Sequence, residues 1–266
     1  MKQITWIISY PKSGNTWVRS ILAKALFNNN DINALTDLIP SFHHLLQKKY
    51  GKVKGVSVDK VLEGWDELQS IIANQNKNNK VILKTHNASG VFNKVIFPNQ
   101  NYTFKAIYLV RDPRDVLVSW ADHRGKSLEQ TQYDMFNPQF SISNKFKTSF
   151  SSEFISSWNN HVKGWQKGKS DTFFVKYEDL LDQKKQCITK ILEFLHIEPV
   201  CSVDEIVNST QFEVLKAQED KAGFKERAIG KRFFRKGMKN GWKEQDFDFS
   251  MIEEKFAPVM KAFGYL

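Results

Sequence analysis

The chain has 266 residues, of which 39 are Lys or Arg and 29 are Asp or Glu, so its formal net charge is +10 at pH 7. Its apolar content of 41% and its 21 Phe, seven Trp and seven Tyr can fill a full-sized core, which excludes a disordered chain. The uncharged apolar stretches are far shorter than the roughly 20 residues that span a bilayer, so no transmembrane helix is predicted. One domain covering residues 1–266 is the simplest organisation.

The N-terminal segment and the cysteines indicate the compartment. The first residues carry one positive charge, at Lys2, but no apolar stretch followed by a cleavage site of small residues, so a cytoplasmic location is expected. Cys187 and Cys201 lie in no metal-ligand pattern. Neither a disulfide framework nor a zinc site is therefore predicted.

Runs of β-branched and aromatic residues predict strands, and helical spacing of apolar residues predicts helices between and after them. The strands are expected at Ile4–Ser9, Val81–Lys84, Phe104–Val110 and Thr172–Lys176, and the helices from Thr16 to the Asn-rich segment Asn28–Asn30 and at Pro113–Ala121, Glu153–Gln166, Lys184–Leu195 and Met251–Phe263. This alternation is typical of an α/β fold in which helices cover a central parallel sheet.

The segment Asp122–Ser151 differs from these elements. It is polar, it lacks a sustained period, and it carries aromatic residues at intervals. A loop of this length within a compact domain is typically a lid or a binding loop. We expect a mobile lid that, together with the loop around Ile39–Val58, selects the ligand.

The strand Ile4–Ser9 runs directly into Tyr10–Trp17, with the sequence YPKSGNTW, and then into the helix that begins at Thr16. Unpaired N–H groups at a helix start bind phosphate oxygens, so this strand–loop–helix is typical of a phosphate-binding loop. It is not a Walker A loop, because Lys12 precedes Gly14 instead of following a second glycine. The alternative is an ordinary turn in which Gly14 gives backbone freedom and Thr16 caps the helix.

The YPKSGNTW segment resembles the 5′-phosphosulfate loop of the cytosolic sulfotransferase family. Further segments similar to the family's motifs follow in the same order after the predicted strands: Lys84-Thr85-His86, Arg111 to Ser119, Tyr177–Asp179 and the C-terminal run Arg235–Lys243 (RKGMKNGWK). The agreement in order extends the resemblance from Ile4 to about Lys243.

The resemblance implies a single sulfotransferase domain that uses 3′-phosphoadenosine 5′-phosphosulfate (PAPS). The expected reaction is an in-line transfer of the sulfuryl group to a hydroxyl of a small-molecule or carbohydrate acceptor, with an amine as the less favoured group, and it releases 3′,5′-bisphosphoadenosine. The many anionic oxygens of PAPS would account for part of the positive charge. No metal is expected.

The resemblance also implies a role for each matching residue. The 5′-phosphosulfate end would be held by Lys12, Ser13, Gly14, Asn15, Thr16 and Trp17, the 3′-phosphate by Arg111, Ser119, Arg235, Lys236 and Gly237, and the adenine by Tyr177, Thr210 and Phe212, with Trp17 close to it. His86 would be the general base, and Lys12 and Lys84 would be catalytic cations.

The sequence departs from the family pattern at several places. Asn15 stands where Thr is usual and Asn240-Gly241 where Gly-Asp is usual, which leaves the effect on PAPS affinity open. The dimerisation signature of the animal enzymes is absent after Gly241, so the oligomeric state is open.

Two other classes of function compete with this interpretation. A nucleotide-dependent phosphotransferase would need magnesium and the Walker spacing that the loop lacks. A non-catalytic basic protein that binds nucleic acid would show steep salt dependence and give His86 no role. The resemblance favours the sulfotransferase, with a small hydroxylated acceptor and with neither nucleic acid nor a membrane as partner. It does not distinguish a phenol, a steroid-like alcohol, a sugar or a peptide-bound hydroxyl as the acceptor.

Overall fold

A parallel sheet lies at the centre of the fold. The computed structural model describes residues 3–76, 79–142, 148–227 and 232–266. Within these ranges the strands are β1 (Ile4–Ser9), β2 (Val81–Thr85), β3 (Gly90–Phe92), β4 (Val95–Phe97), β5 (Thr103–Val110), β6 (Ser141–Ile142), β7 (Glu153–Phe154) and β8 (Thr172–Lys176). The central sheet has the order β2-β1-β5-β8, and β1 pairs in parallel with β2 so that Ile8 lies opposite Thr85. The predicted α/β class, a central parallel sheet flanked by helices, is confirmed.

The helices of the described ranges are α1 (Asn15–Phe27), α2 (Leu35–Leu38), α3 (Phe42–Tyr50), α4 (Val58–Gln75), α5 (Pro113–Arg124), α6 (Leu128–Phe136), α7 (Trp158–Lys167), α8 (Tyr177–Asp182), α9 (Lys184–Leu195), α10 (Val203–Ser209), α11 (Phe212–Ala222) and α12 (Ser250–Ala262). Short 3₁₀ turns lie at Ile32–Ala34 and Gly241–Glu244. None of the described helices is both long and apolar enough to cross a membrane.

Several element boundaries agree with the sequence prediction because local signals determine them. Helix α9 has the predicted bounds, and α1 begins at Asn15, one residue before the predicted start. Helix α5 begins at Pro113, and the side chain of Asp112 caps it by accepting the N–H of Arg114 at 2.9 Å. Proline at the first helical position and aspartate before it are both typical of a helix start.

The helix predicted over Glu153–Gln166 is shorter in the structure. It begins only at Trp158, and the first residues of the predicted segment form β7 instead. The cause is local: Ser156 has a φ of 65°, which interrupts a helix, and the side chain of Ser157 caps the helix start that follows. The apolar spacing alone did not reveal this break.

The segment Asp122–Ser151 is more regular than predicted. It contains the end of α5, helix α6 and strand β6. The hydroxyl of Ser127 accepts the N–H of Gln130 at 3.2 Å at the start of α6, and Met135 near its end is fully buried. Residues 143–147 lie outside the described part of the chain. That the segment acts as a mobile lid stays a prediction.

Contacts between residues group the chain into two compact units. The first unit consists of Met1–Tyr10, Pro40–Tyr108 and Asp134–Phe174, and the second of Pro11–Ile39, Leu109–Tyr133 and Val175–Leu266. The organisation as one domain over residues 1–266 stays a prediction.

An aromatic cluster forms the core of the first unit. Trp6 of β1 is fully buried and packs edge-on against Phe42 and Phe97, each with ring centroids 5.2 Å away. Trp65 of α4 packs on Phe97 at 5.0 Å. Such pairs contribute roughly 0.5–1.5 kcal/mol each beyond the burial of their area. The cluster packs β1 against α3 and α4 and so fixes the strand that ends at Ser9.

A buried arginine fixes α1 in the second unit. Arg19 is fully buried and donates to the carbonyl oxygens of Leu35 at 2.8 Å and Ile39 at 3.1 Å. Its Nη1 also pairs with the carboxylate of Glu226 at 2.8 Å. Because these hydrogen bonds and the ion pair compensate for the loss of water, the guanidinium can be buried. They also hold α1 against the segment that contains α2.

We expect Arg19→Met to lower the free energy of unfolding by about 3–5 kcal/mol, because it leaves two carbonyl groups and a carboxylate without their donor. Arg227→Met, at an exposed arginine of the same unit, is the control and should change stability by less than about 0.5 kcal/mol. Urea denaturation followed by circular dichroism measures both. Equal stabilities of the two variants would contradict the structural role of Arg19.

Candidate active site

The loop between β1 and α1 carries the first group of predicted site residues. Gly14 precedes α1 with a φ of 101°, a backbone conformation that residues with a Cβ rarely adopt. A Cβ at this position would lie 2.8 Å from the ring of Tyr177, so the loop packs directly on that ring. Helix α1 begins at Asn15 without a side-chain cap, and Thr16 does not cap it. A helix start of this kind suits an anion.

Arg111 connects this loop to the C-terminal loop of the second unit. The guanidinium donates from Nη1 to the carbonyl of Lys12 at 3.1 Å and from Nη2 to the carbonyl of Met238 at 3.0 Å. It also lies over the ring of Tyr177, with Cζ 4.2 Å from the centroid. The arginine at the end of β5 therefore brings together segments that are more than 200 residues apart in sequence.

The ammonium of Lys12 lies in a positively charged environment. Its Nζ is 4.1 Å from the centroid of the Phe233 ring, a contact that stabilises a cation. Burial, followed by the charges of Arg111 and Arg235, lowers the pKa of Lys12 to about 8. Asp122, which pairs with Arg235 at 3.2 Å, opposes this effect. A lysine with a lowered pKa near two further cations is typical of a site that binds an anion.

Two buried polar atoms of this cluster have no partner within the described residues: Oγ of Ser13 and Nε of Arg111. Ser13 is only 1% exposed. Leaving a buried donor unpaired costs about 1–3 kcal/mol, so an oxygen atom of a ligand would relieve this cost. The hydroxyl, the guanidinium and the ammonium of Lys12 are the donor types that bind phosphate and sulfate groups, and they fit the predicted PAPS.

The indole of Trp17 is held from several sides. Its Nε1 donates to the carbonyl of Thr210 at 2.7 Å, and its ring packs edge-on against Tyr177 with centroids 5.7 Å apart. The Nζ of Lys184 lies 5.2 Å from the ring centroid. The structure therefore brings together Trp17, Tyr177 and Thr210, three of the four residues that the resemblance assigns to the adenine end; the fourth is Phe212.

The C-terminal loop is fixed by contacts that the sequence analysis did not predict. Gly237 has a φ of 60°, and a Cβ there would lie 2.4 Å from the ring of Phe212. The carboxylate of Asp115 accepts the N–H groups of Asn240 and Trp242 at 2.9 Å each. Asp115 lies in the quoted segment Arg111 to Ser119, but only the fold reveals its partners. It holds the loop that contains Arg235, Lys236 and Gly237.

Two residues predicted to bind the 3′-phosphate, Lys236 and Ser119, lie at the edge of this cluster in the described part of the chain. Lys236 pairs with Glu244 at 2.5 Å and is half exposed. Ser119 lies on α5, one helical turn after Asp115, and is partly exposed. Because residues four apart share a helix face, Ser119 belongs to the face on which Asp115 binds the C-terminal loop.

In the first unit, His86 follows β2 and contacts the end of β1. Its Nδ1 lies 2.7 Å from the carbonyl of Ser9, and since a carbonyl only accepts, Nδ1 carries the proton. Its backbone N–H donates to Glu153 at 2.9 Å, and its carbonyl lies 3.0 Å from Nε2 of His161. In the neutral ring, the lone pair is therefore on Nε2. Sequence analysis did not single out Glu153 or His161 as site residues.

The charged groups around His86 act in opposite directions. Burial, followed by the charge of Lys84, lowers the pKa of His86 to about 3, while Glu153 acts to raise it. Lys84 itself is buried. Burial would raise the pKa of Glu153, but the charges of His43, 3.3 Å away, and Lys84 hold it well below its usual value. At neutral pH the ring is neutral and the carboxylate is charged.

Within the described ranges, no group of three or more His, Cys, Asp or Glu side chains is arranged to hold a metal ion. The two clusters offer cations, hydrogen-bond donors, the ionised carboxylate of Glu153 and the neutral imidazole of His86. A strand–loop–helix with converging cations, and with buried donors that have no partner among the described residues, is typical of α/β proteins that bind a phosphorylated or sulfated ligand.

The family follows from comparison with known proteins. The sequence model of the sulfotransferase domain matches residues 2–262, so the chain belongs to the sulfotransferase family. The resemblance that the motifs indicated is thereby confirmed.

Individual relatives are distant. Sulfotransferase 1B1 of Canis lupus familiaris is 29% identical over 220 residues, which cover 79% of this chain and 65% of the relative. Sulfotransferase 1E1 of Rattus norvegicus is 28% identical and is also covered over 65% of its length. The amine sulfotransferase of Oryctolagus cuniculus is 25% identical over 97% of this chain and 81% of its own. The chain thus spans about 65% of the first two relatives.

Solved structures of a sulfotransferase and of a dehydratase share the fold. Retinol dehydratase in complex with androsterone and the inactive cofactor PAP superposes with a TM-score of 0.61 at 21% identity, covering 97% of this chain and 80% of that one. Mouse sulfotransferase SULT7A1 complexed with PAP gives 0.60 at 19% identity, covering 98% and 84%.

The lowered pKa of Lys12 makes stability depend on pH. Between about 8 and the ordinary value of 10.5, the unfolded state binds more protons than the folded state, so stability rises with pH across this window. Lys12→Met removes this contribution. We expect the free energy of unfolding of the wild type, measured relative to Lys12→Met by urea denaturation, to increase between pH 8 and pH 10. A difference that stays constant over this range would contradict the electrostatic environment described for Lys12.

Proposed function

We propose that the chain is a PAPS-dependent sulfotransferase that moves a sulfuryl group to a hydroxyl of a small-molecule acceptor and releases 3′,5′-bisphosphoadenosine. The observation that carries this proposal is the cluster at the start of α1, where Lys12, Arg111 and Arg235 converge near the unpartnered hydroxyl of Ser13. Membership of the sulfotransferase family supports it, as do the relatives that are named sulfotransferases. A cytoplasmic location is part of the same proposal.

The second unit would bind the nucleotide. Lys12, Ser13 and the helix start from Gly14 to Trp17 would take the 5′-phosphosulfate end, and the Nε of Arg111 would donate to the 3′-phosphate. The site for the 3′-phosphate would also include Arg235, Lys236, Gly237 and Ser119. The adenine would be bound by Tyr177, Thr210 and Phe212. PAP is bound in the solved structures of retinol dehydratase and of mouse sulfotransferase SULT7A1, which makes this ligand a reasonable probe of the site.

PAPS, when bound, supplies the activated sulfuryl group, and the side chains of this protein handle the protons and charges. The acceptor hydroxyl gives its proton to Nε2 of His86 as its oxygen bonds to sulfur. The bond from Nδ1–H to the carbonyl of Ser9 keeps the lone pair on Nε2, where it can act as a base. A positioned base of this kind contributes about 10²–10⁴ in rate.

Charge on the leaving group requires a cation. The ammonium of Lys12 would stabilise the negative charge left on the 5′-phosphate oxygen, which keeps the electron pair when the S–O bond breaks. Ser9, the hydrogen-bond partner of His86, precedes Lys12 by three residues in the chain. Lys84 is a second buried cation, close to His86.

The proposal is tested by transfer from labelled PAPS to a panel of phenols, steroid-like alcohols, sugars and amines, with the products identified by mass spectrometry. We expect sulfated products from at least one hydroxylated class and no requirement for added magnesium. Binding of neither PAPS nor bisphosphoadenosine, together with no transfer to any acceptor, would contradict the proposal. A preference for amines would contradict only the proposed acceptor group and would leave the proposed transfer from PAPS in place.

The 3′-phosphate should be a major recognition element. Charged hydrogen bonds contribute roughly 1.5–3 kcal/mol each, so 5′-AMP should bind at least about tenfold more weakly than 3′,5′-bisphosphoadenosine. Arg235→Ala should narrow this gap, whereas Arg232→Ala, at an exposed arginine that pairs with Asp220, should not. Calorimetry measures the affinity of each of the three proteins for each of the two nucleotides, six affinities in all. Equal binding of the two nucleotides by the wild type would contradict the assignment.

Substitutions of His86 and Lys12 should affect nucleotide affinity and turnover differently. His86→Ala should leave bisphosphoadenosine affinity nearly unchanged and lower turnover by about 10² or more, because the base acts on the acceptor. Lys12→Ala should weaken nucleotide binding and slow transfer, because the ammonium contacts the anion before and during the reaction. Affinity, melting temperature and turnover are measured on both variants. A fully active His86→Ala enzyme would remove the proposed base.

A further inference from the structure

The backbone N–H, the backbone carbonyl and Nδ1 of His86 each have a hydrogen-bond partner in the first unit. The backbone N–H donates to Glu153, the backbone carbonyl lies against Nε2 of His161, and Nδ1–H donates to Ser9. A residue held at its N–H, its carbonyl and one ring nitrogen can present the remaining nitrogen in one orientation only. The partners of the main chain, Glu153 and His161, therefore determine where Nε2 lies.

His161 holds the carbonyl of His86 without adding charge. It is fully buried, and the hydroxyl of Tyr108 lies 2.7 Å from its Nδ1. Because Nε2 of His161 must donate to the carbonyl of His86, Nδ1 accepts the proton of the Tyr108 hydroxyl. Burial lowers the pKa of His161 to about 4, so the ring is neutral at pH 7.

Glu153 differs from His161 because it is ionised. It is 5% exposed, and its Oε1 accepts the N–H of His86 and lies 3.3 Å from Nδ1 of His43. A neutral amide oxygen would satisfy the same N–H, so the backbone contact alone does not require a charge. Burying a carboxylate is costly unless nearby cations or hydrogen bonds compensate. The charge of Lys84 provides such compensation.

We propose that Glu153 is a positioning residue for the transfer step, one that fixes the main chain of His86 and supplies the negative charge that a proton arriving at Nε2 requires. When the acceptor hydroxyl gives its proton to Nε2, the ring becomes a cation close to the buried ammonium of Lys84. The carboxylate of Glu153 opposes that repulsion. The inference rests on the proposed function, because it assigns Glu153 a role toward the proposed base.

The charge and the hydrogen bond of Glu153 can be separated by substitution. Glu153→Gln keeps an acceptor oxygen for the N–H of His86 and removes the charge, whereas Glu153→Ala removes both. Glu63→Gln, at an exposed carboxylate of α4 in the same unit, is the matched control for loss of one negative charge. We expect turnover of Glu153→Gln to fall roughly ten- to a hundredfold, with bisphosphoadenosine affinity and the acceptor KM within about twofold of the wild type.

A second readout does not depend on turnover. Nitrogen NMR of histidine-labelled protein without nucleotide reports which ring nitrogen of His86 is protonated. We expect the Nδ1–H form in the wild type, in Glu63→Gln and in Glu153→Gln, because Ser9 determines it, and a shifted or broadened signal in Glu153→Ala. An altered His86 signal in Glu153→Gln would overturn the role of the charge, because the loss of turnover would then be due to misplacement.

A double-mutant cycle with Lys84 tests the electrostatic part directly. If the carboxylate acts by opposing Lys84, Glu153→Gln should reduce turnover less in a Lys84→Met protein than in the wild type. Equal reductions in both backgrounds, or normal turnover of Glu153→Gln, would overturn the inference.

Different results would contradict the proposed function and the proposed role of Glu153. A wild-type protein that binds no bisphosphoadenosine and transfers nothing contradicts the proposed function. An active wild type that loses activity on His86→Ala but keeps it on Glu153→Gln contradicts only the role of Glu153.

Discussion

The repulsion among cations at the start of α1 is the constraint on which the second unit depends. Burial, followed by the charges of Arg111 and Arg235, lowers the pKa of Lys12 to about 8. The fold holds them there with groups that carry at most partial or opposite charge: the carbonyls of Lys12 and Met238, the ring of Phe233 and the carboxylate of Asp122. The carboxylate of Asp115, 4.0 Å from Nη2 of Arg111, and that of Glu219 also oppose the repulsion. An anionic ligand would reduce it further.

In the first unit, the constraint is a buried histidine, His86, that stays neutral at pH 7. The aromatic cluster around Trp6 fixes β1, and Ser9 at the end of that strand fixes the ring of His86. Glu153 and His161 then fix its main chain. Desolvation keeps the ring neutral, and the neighbouring carboxylate limits the energy needed to charge it. Geometry and electrostatics thus act on the same atom, Nε2.

Local signals allowed the sequence to predict much of the fold. Asp112 and Pro113 are typical of a helix start, and the spacing of apolar residues predicts the bounds of α9. The break at Ser156 was missed because a positive φ in serine has no sequence signature. The resemblance to the family pointed to Trp17 and Tyr177, which the structure brings into contact. It did not point to Asp115, Glu153 or His43, because the partners of these residues come from distant parts of the chain.

Arg111 illustrates how shape as well as charge is built into this unit. Its terminal nitrogens each bind one carbonyl, of Lys12 and of Met238, while its ring-facing side rests on Tyr177. A lysine would conserve the charge, but its single ammonium on a flexible stem lacks the planar fork that reaches both carbonyls and stacks on a ring. The neighbouring cations therefore differ in what a substitution would remove: at Lys236 it is a half-exposed charge paired with Glu244, whereas at Arg111 it is the charge, two hydrogen bonds to carbonyls and a stacked ring contact at once.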